Sequence, residues 1–356
     1  MKAVFSLCLP VYNQLELLKA NLDCLLEYRG DDIRIVVSDN CSEEDIAGLV
    51  KSYNDKRIKY CRTSENIGHD GNIINAFRNC DTRYAFLLRT RDFLLPDKIP
   101  KIIESINKYP CAAYMRFSAI DDEGKLRVQL ENRLIRGAED VLKADGELLI
   151  HPSGELYDLS RLNASDYDEI LHLLRAEFPD NNAFLTHILL RHLLASRGCF
   201  ATVSEAVWYY AYTYKAKDKA VVNNGDSRPK GYSPYSPRYQ YPRLKAEIEY
   251  ISDCVPKVLR KEMIRYIIRR YAEMITVSFK ELNENEGFLA HYNCVKEDFS
   301  PRKEKLRFLR SARKGFSACR GQTRLYVILV SYYYLLLRFP LRGLKSRLRK
   351  IISKGE

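Results

Sequence analysis

The sequence predicts an α/β protein with a mostly parallel sheet, followed by a helical region. Three observations predict this. Short apolar runs alternate with helical patterns four times within the first 120 residues, the arrangement of strands joined by crossover helices. The runs are compact and bounded, as buried strands are. The clearest of them, Tyr84 to Leu88, stops at a polar cluster of Arg89, Thr90, Arg91 and Asp92 before a second apolar patch closes with Pro96. Charge there sits at the carboxyl edge of a sheet, where open α/β sheets bind ligands, or else in a plain polar turn between strand and helix.

Taken in order, residues 3–9 form a first strand ended by Pro10. Asn13 opens a helix with Leu15, Leu17, Leu18, Leu22, Leu25 and Leu26 at helical spacing. Ile33 to Val37 is a second strand, ending at Ser38-Asp39-Asn40. Ser42 suits an N-cap, with Glu43, Glu44 and Asp45 in the first turn of a helix to about Tyr53. Ile58 to Cys61 is a third strand. Asn66, Gly68 and Gly71 make a turn before a helix carrying Ile73, Ile74 and Phe77. After Tyr84–Leu88 come a helix over 98–108 and a strand from Cys111 to Phe117.

Past residue 120 the pattern changes. Residues 121–124 are a turn, and His151-Pro152-Ser153-Gly154 leads into a short strand through Leu156 and Tyr157. Helical patterns over 166–176 and 181–196 precede a strand from Cys199 to Val203, and His187 and His192 sit among leucines as core or interface residues rather than ligands. Residues 215–242, with Tyr232, Tyr235, Tyr239 and Tyr241, read as a long loop of the kind that is functional or mobile. From Arg243 to Leu282 one stripe of Ile248, Ile251, Val255, Leu259, Met263 and Ile267 marks a helix that Pro256 kinks or splits.

The net charge of +12 is not spread evenly. From Pro301 to Glu356 sixteen Lys or Arg face two acids, a balance of +14 that leaves the first 300 residues at −2. A near-neutral body with a basic tail argues against a nucleic-acid-binding domain. The ten cysteines form no C-x-x-C pair or zinc-type cluster, and the apolar start is too short for a signal peptide. Both point to reduced thiols in the cytoplasm.

No G-x-G-x-x-G or Walker sequence follows the first strand. The chain offers Leu9-Pro10-Val11-Tyr12-Asn13, then Val37-Ser38-Asp39-Asn40-Cys41-Ser42, then Glu65-Asn66-Ile67-Gly68 with Gly71-Asn72. Read from the residues, Asp39 either accepts hydrogen bonds from a base or ribose or caps a helix. Gly68 and Gly71 either admit a ligand to the backbone or make an ordinary turn. These segments and the acid-tipped strand, in this order and spacing, resemble the family 2 glycosyltransferases, and within them the branch that builds bacterial surface polysaccharides.

The resemblance covers roughly residues 1–120 and implies a GT-A fold and a nucleotide-diphosphate sugar donor. It implies that Pro10, Val11, Tyr12 and Asn13 line the base pocket, that Asp39 contacts base or ribose, and that Asn66, Gly68 and Asn72 shape the floor of the donor site. The family's Asp-x-Asp element, which holds Mg²⁺ or Mn²⁺, is Thr90-Arg91-Asp92 here. Either Asp92 holds the metal with Thr90 in support, or Arg91 or Arg89 neutralises the leaving diphosphate without one, or the site no longer transfers sugar. The catalytic base of an inverting enzyme is a carboxylate in the acceptor half. Glu177-Phe178-Pro179-Asp180 matches that place, Asp180 being the first choice and Glu177 the second, although Asp180 also suits an N-cap.

The expected organisation is a GT-A domain over 1–215 (donor half 1–120, acceptor half 121–215), a loop and helical region over 216–300, and a basic tail over 301–356. In that tail, Leu325 to Leu337 is thirteen residues interrupted only by Ser331 and flanked by Arg and Lys. It is too short to span a bilayer. It suits a helix in an anionic membrane interface, or a core helix with a solvated basic end. The expectation is a peripheral enzyme at the cytosolic membrane face that transfers sugar to a lipid-linked oligosaccharide or polysaccharide. A non-catalytic nucleotide-sugar- or partner-binding protein and a nucleotidyltransferase are the rivals, the second lacking its glycine- and lysine-rich loop.

Overall fold

The structure, a computed structural model, describes residues 3–121, 123–136, 152–178, 184–209, 237–254, 257–273, 275, 300–314 and 321–338. The chain divides into two compact units, residues 1–227 and 228–356.

The first unit is a mixed α/β structure on one ten-stranded sheet. Strands β1 (Phe5–Val11), β2 (Ile33–Asp39), β3 (Ile58–Arg62) and β4 (Tyr84–Leu87) lie in the order β3-β2-β1-β4, all parallel. Helices α1 (Leu15–Leu25), α2 (Ile46–Tyr53) and α3 (Gly68–Arg78) connect them. Burial on both faces explains why β1, β2 and β4 read as largely apolar runs: Phe5, Leu7, Cys8 and Leu9 of β1 are all buried, whereas the edge strand β3 is only partly so. The polar Ser6 among them is satisfied by Thr82, Oγ to Oγ1 2.7 Å.

Beyond β4 come β5 (Phe93–Leu94), α4 (Ile99–Lys108), β6 (Ala112–Ile120), and the short β7 (Leu126–Val128) and β8 (Arg133–Ile135). They are followed by β9 (Glu155–Asp158), α5 (Ala164–Glu177), α6 (Thr186–Ala195) and β10 (Cys199–Tyr209). The sheet continues β4-β9-β6-β10-β5, with β9 antiparallel to both of its neighbours and β10 parallel to β6. Glu155 on β9 is fully buried against Arg116 of β6, Nη1 to Oε1 2.5 Å, with Arg191 of α6 at 3.8 Å. The Tyr157 hydroxyl donates to the same carboxylate.

Several local expectations need correction. Ser42 does not cap α2; Asp45 does, accepting from Gly48 N at 2.8 Å, while Ser42 Oγ accepts from Asn13 N at 3.0 Å. Gly71 lies inside α3, not in a turn before it. Tyr239 and Tyr241 fall in a helix that begins at Pro237; the rest of the expected loop, 215–236, lies outside the described residues. Glu177 ends α5, and α6 begins only at Thr186.

In the second unit, α7 (Pro237–Cys254) and α8 (Lys257–Glu273) occupy the stretch where a helix kinked or split at Pro256 was expected; 255–256, and so Pro256, lie outside the described residues. Ile248, Ile251, Met263 and Ile267 of the expected stripe are buried. Arg270 pairs with the buried Glu247 at 2.7 Å. Helices α9 (Pro301–Lys314) and α10 (Gly321–Tyr332) follow, the latter running into a wider helical turn over Tyr333–Arg338. Among the described residues no helix is long and apolar enough to cross a membrane.

Candidate active site

The carboxyl ends of β1, β2 and β4 meet at one edge of the sheet, and side chains from behind tie them together. Asn72, on the buried face of α3, donates to Val11 O at 3.2 Å and Ser38 O at 3.0 Å and accepts from Ser38 Oγ at 2.6 Å. Thr90 Oγ1 donates to Pro10 O at 3.0 Å, which joins the β4 end to β1. Asn21, buried on α1, donates to Thr90 O at 3.1 Å and Asp92 O at 2.7 Å. Asn40 donates to Asn66 Oδ1 at 2.8 Å and accepts from Ile67 N at 2.9 Å, fixing the loop before α3 to the β2 end. Gly68 opens α3 at φ +77, a conformation that favours glycine.

The expected donor residues are thus brought to one edge but divide into two kinds. Val11 and Asn72 are buried struts whose side chains face the protein interior. Pro10, Tyr12 and Asn13 are partly exposed and Asn66 is exposed. Asn13 sits at φ +47 with its Oδ1 accepting from Glu43 N at 2.7 Å, so the β1 and β2 loops brace each other.

Both acids at this edge are engaged. Asp39 is buried at 0% exposure, accepting from Ser42 N at 2.9 Å, Tyr60 OH at 2.6 Å and Arg62 Nη1 at 2.6 Å. Burial works to raise its pKa; the hydrogen bonds from Ser42, Tyr60 and Arg62 outweigh it and hold the carboxyl below the ordinary range. Asp92 is 1% exposed. Its Oδ2 accepts from Arg89 Nε at 2.9 Å and Ser153 Oγ at 2.6 Å, and its Oδ1 from Arg89 Nη2 at 3.3 Å.

This donor set does not fit a family-type Mg²⁺ or Mn²⁺ site. Such ions want oxygen ligands in near-octahedral array, one or two of them carboxylates. Both oxygens of Asp92 are already held, and its sequence neighbours 89 and 91 are cations. Two unit charges 4 Å apart repel by about 4 kcal/mol at an effective dielectric of 20, and a dication doubles that. Among the described residues no group of three His, Cys, Asp or Glu is placed to hold a metal.

Three residues of the site carried no role in the sequence reading. Ser153 joins the loop before β9 to Asp92 and accepts from Arg89 N at 3.0 Å. Asn40 holds the Asn66 loop. Asp70, in the first turn of α3, accepts the main-chain N–H groups of Phe184, Leu185 and Thr186, each at 2.8 Å. Asn40 stands in one of the quoted segments without a role, and Asp70 is an acid whose place in the first turn of α3 only the structure shows. Of the expected bases, Asp180 lies outside the described residues, as does His151, and Glu177 ends α5. His187 and His192 are buried on α6, as expected.

Residues 6–163 match the family described as Glycosyl transferase family 2. No curated protein matches the chain. Among solved structures, the chain is similar to S. aureus TarS 1-349 in complex with UDP, with TM-score 0.56 and 13% identity over 94% of this chain and 90% of that one. It is similar to the same protein in complex with UDP-GlcNAc, with TM-score 0.53 and 12% identity over the same shares of the two chains. At such identities the likeness is one of fold, which is that of the GT-A transferases. Residues 6–163 match the family 2 glycosyltransferases on a fold of the GT-A kind, and the chain is a glycosyltransferase.

Proposed function

We propose that the enzyme transfers a sugar from a nucleoside diphosphate donor to a surface-polysaccharide or lipid-linked oligosaccharide acceptor, with inversion, while held to an anionic membrane surface on the cytosolic side. The observation that carries the reading is the braced edge where β1, β2 and β4 end together beside Arg62, Arg89 and Arg91. A family 2 domain has use for such an edge as its donor site, and the TarS structures of like fold bind UDP and UDP-GlcNAc.

In this reading Pro10, Tyr12 and Asn13 take the base, with Val11 backing them. Asn66 and Gly68 floor the site, with Asn72 and Thr90 as struts. Asp39 acts through Arg62 and Tyr60 rather than by touching the ribose itself. The acceptor hydroxyl oxygen attacks the anomeric carbon from the face opposite the diphosphate. The bond from that carbon to the diphosphate oxygen breaks, and its electron pair leaves on that oxygen beside Arg91. The hydroxyl proton passes to a carboxylate, Asp180 or failing that Glu177. The donor half spans 1–120 and the acceptor half 121–215.

Incubation of the full chain with a panel of nucleoside diphosphate sugars tests the reading through the nucleoside diphosphate released. Asp180→Asn is expected to cut that release by about a hundredfold or more while leaving nucleotide binding intact. Unchanged release in Asp180→Asn assigns the base elsewhere, and a chain that binds and turns over no member of the panel is not a sugar transferase of this kind.

A further inference from the structure

The four residues 89–92 that follow β4, Arg89-Thr90-Arg91-Asp92, carry two guanidinium groups and one carboxylate. The carboxylate is the buried partner. Asp92 is 1% exposed, whereas the Arg89 side chain that grips it is 25% exposed. The grip is itself fixed by main-chain bonds. Asp92 N donates to Arg89 O at 2.9 Å, Arg89 N to Ser153 Oγ at 3.0 Å, and Asn21 holds the carbonyls of Thr90 and Asp92.

The same arrangement recurs on the far side of β1. Asp39 at the end of β2 is fully buried, and the Arg62 side chain that pairs with it at 2.6 Å stays 41% exposed. At both strand ends the acid lies behind an arginine. What this edge offers to a ligand is therefore guanidinium, not carboxylate. Guanidinium is the side-chain chemistry suited to a diphosphate, because its planar fork of donors matches two phosphate oxygens at once and its charge does not titrate away. A carboxylate-held metal would need those acids turned outward and the arginines turned away.

We propose that this edge binds the diphosphate of its donor through Arg91 and Arg89 in place of a metal ion, with Asp92 as the positioning residue that aims Arg89. The proposal rests on the donor-site reading above. Binding is then independent of divalent metal, and the charge that develops on the leaving diphosphate oxygen is met by guanidinium. Asp92 touches no ligand; it and Ser153 hold one arginine in place for the incoming phosphates.

Calorimetric titration of the full chain with UDP and with GDP, in EDTA and again in Mn²⁺, tests this on the unaltered protein. The expected result is a Kd that agrees within about twofold between the two buffers. Arg91→Ala should weaken diphosphate binding by about tenfold or more while leaving binding of the bare nucleoside unchanged. Asp92→Asn should weaken it to a lesser degree without creating a need for metal. The double variant Arg89→Asp, Arg91→Asp should bind the diphosphate only when Mn²⁺ is added. Binding by the unaltered chain that requires Mn²⁺ overturns the proposal and leaves the donor reading standing. Failure to bind any nucleoside diphosphate in either buffer overturns the donor reading and the proposal with it. The unaltered chain alone decides between these outcomes, so an unstable variant does not blunt the test.

Discussion

Asp70 and Leu185 lie 115 positions apart, yet Asp70 Oδ1 accepts the Leu185 N–H at 2.8 Å. The same carboxylate takes the N–H groups of Phe184 and Thr186, and the His69 ring stacks on Phe184 at 4.4 Å between centroids. Helix α6 has no side-chain cap of its own, so an acid from α3 serves as one. The first turn of α3 is thereby tied to the start of α6.

Asp70→Ala should destabilise the protein by about 2–3 kcal/mol. It strips the charge-assisted acceptor from three N–H groups at a buried helix start. Asp70→Asn should recover part of that loss, since one amide oxygen remains. Urea denaturation of the three proteins checks the order, and equal midpoints for Asp70→Ala and the parent would show that the cap carries no stability.

Gly154 shows a second long-range constraint. Its φ is +80, and a Cβ there would lie 2.1 Å from Trp208 Nε1. Trp208 is fully buried and donates to Phe117 O at 3.2 Å, so it cannot step aside. Gly154→Ala combines left-handed strain of about 1–2 kcal/mol with that overlap, and a loss of about 3 kcal/mol or more is expected. Gly124 has a similar φ of +74 but nothing within 4 Å of its would-be Cβ. Gly124→Ala should therefore show the strain alone, about 1–2 kcal/mol. Calorimetric melting of the pair separates the two causes.

These two residues mark the limit of what the sequence reveals. The strands β1, β2 and β4 are legible because burial leaves each a largely apolar run, whereas β3 at the sheet edge is only partly buried. The placement of β9 between β4 and β6 is not legible. That strand is four residues long, and its polar Glu155 and Asp158 are buried only because Arg116 and Arg83 meet them from elsewhere. The site divides in the same way. Its strand-end residues follow from the strands. Ser153, Asn40 and Asp70 do not, because each draws its role from partners 61, 26 and 114–116 positions away. Ser42 was a sound N-cap by type, but Asp39 and Asn13 engage it first, and Asp45 caps α2 instead.

Asp39 gives the edge a pH dependence. Its carboxyl is held below the ordinary range although burial opposes this, because Ser42, Tyr60 and Arg62 all donate to it. A group depressed by folding binds fewer protons folded than unfolded. Its stabilisation is complete above the unfolded aspartate pKa of about 3.9 and drains away as the pH falls through the lower folded value. Asp39→Asn should therefore lower stability at pH 7, and the gap between it and the parent should close below about pH 4. Thermal melts across that range check the sign; a gap that widens on acidification contradicts it.

The membrane reading of the tail turns on one helical face. Along α10 and the turn after it, Leu329, Tyr333 and Leu336 are 60%, 42% and 48% exposed. They recur at intervals of four and three, which aligns them on one side. Val327, Ser331, Tyr334 and Leu335 are buried on the rest of the helix, so the exposed face is not the one that packs. On α9, Arg302, Lys303, Arg307 and Arg310 are exposed beside Leu306, itself 49% exposed. Apolar side chains with basic neighbours are what an interfacial helix presents to anionic lipid. Burying a leucine side chain is worth about 1.5–3 kcal/mol, so Leu329→Ser with Leu336→Ser should weaken binding to anionic vesicles by at least about tenfold with little change in melting temperature, because both lie on the exposed face. Added salt should weaken the parent as well, through its arginines and lysines. Co-sedimentation with phosphatidylserine vesicles reads both effects, and full binding by the double variant would remove this face from any role at the membrane.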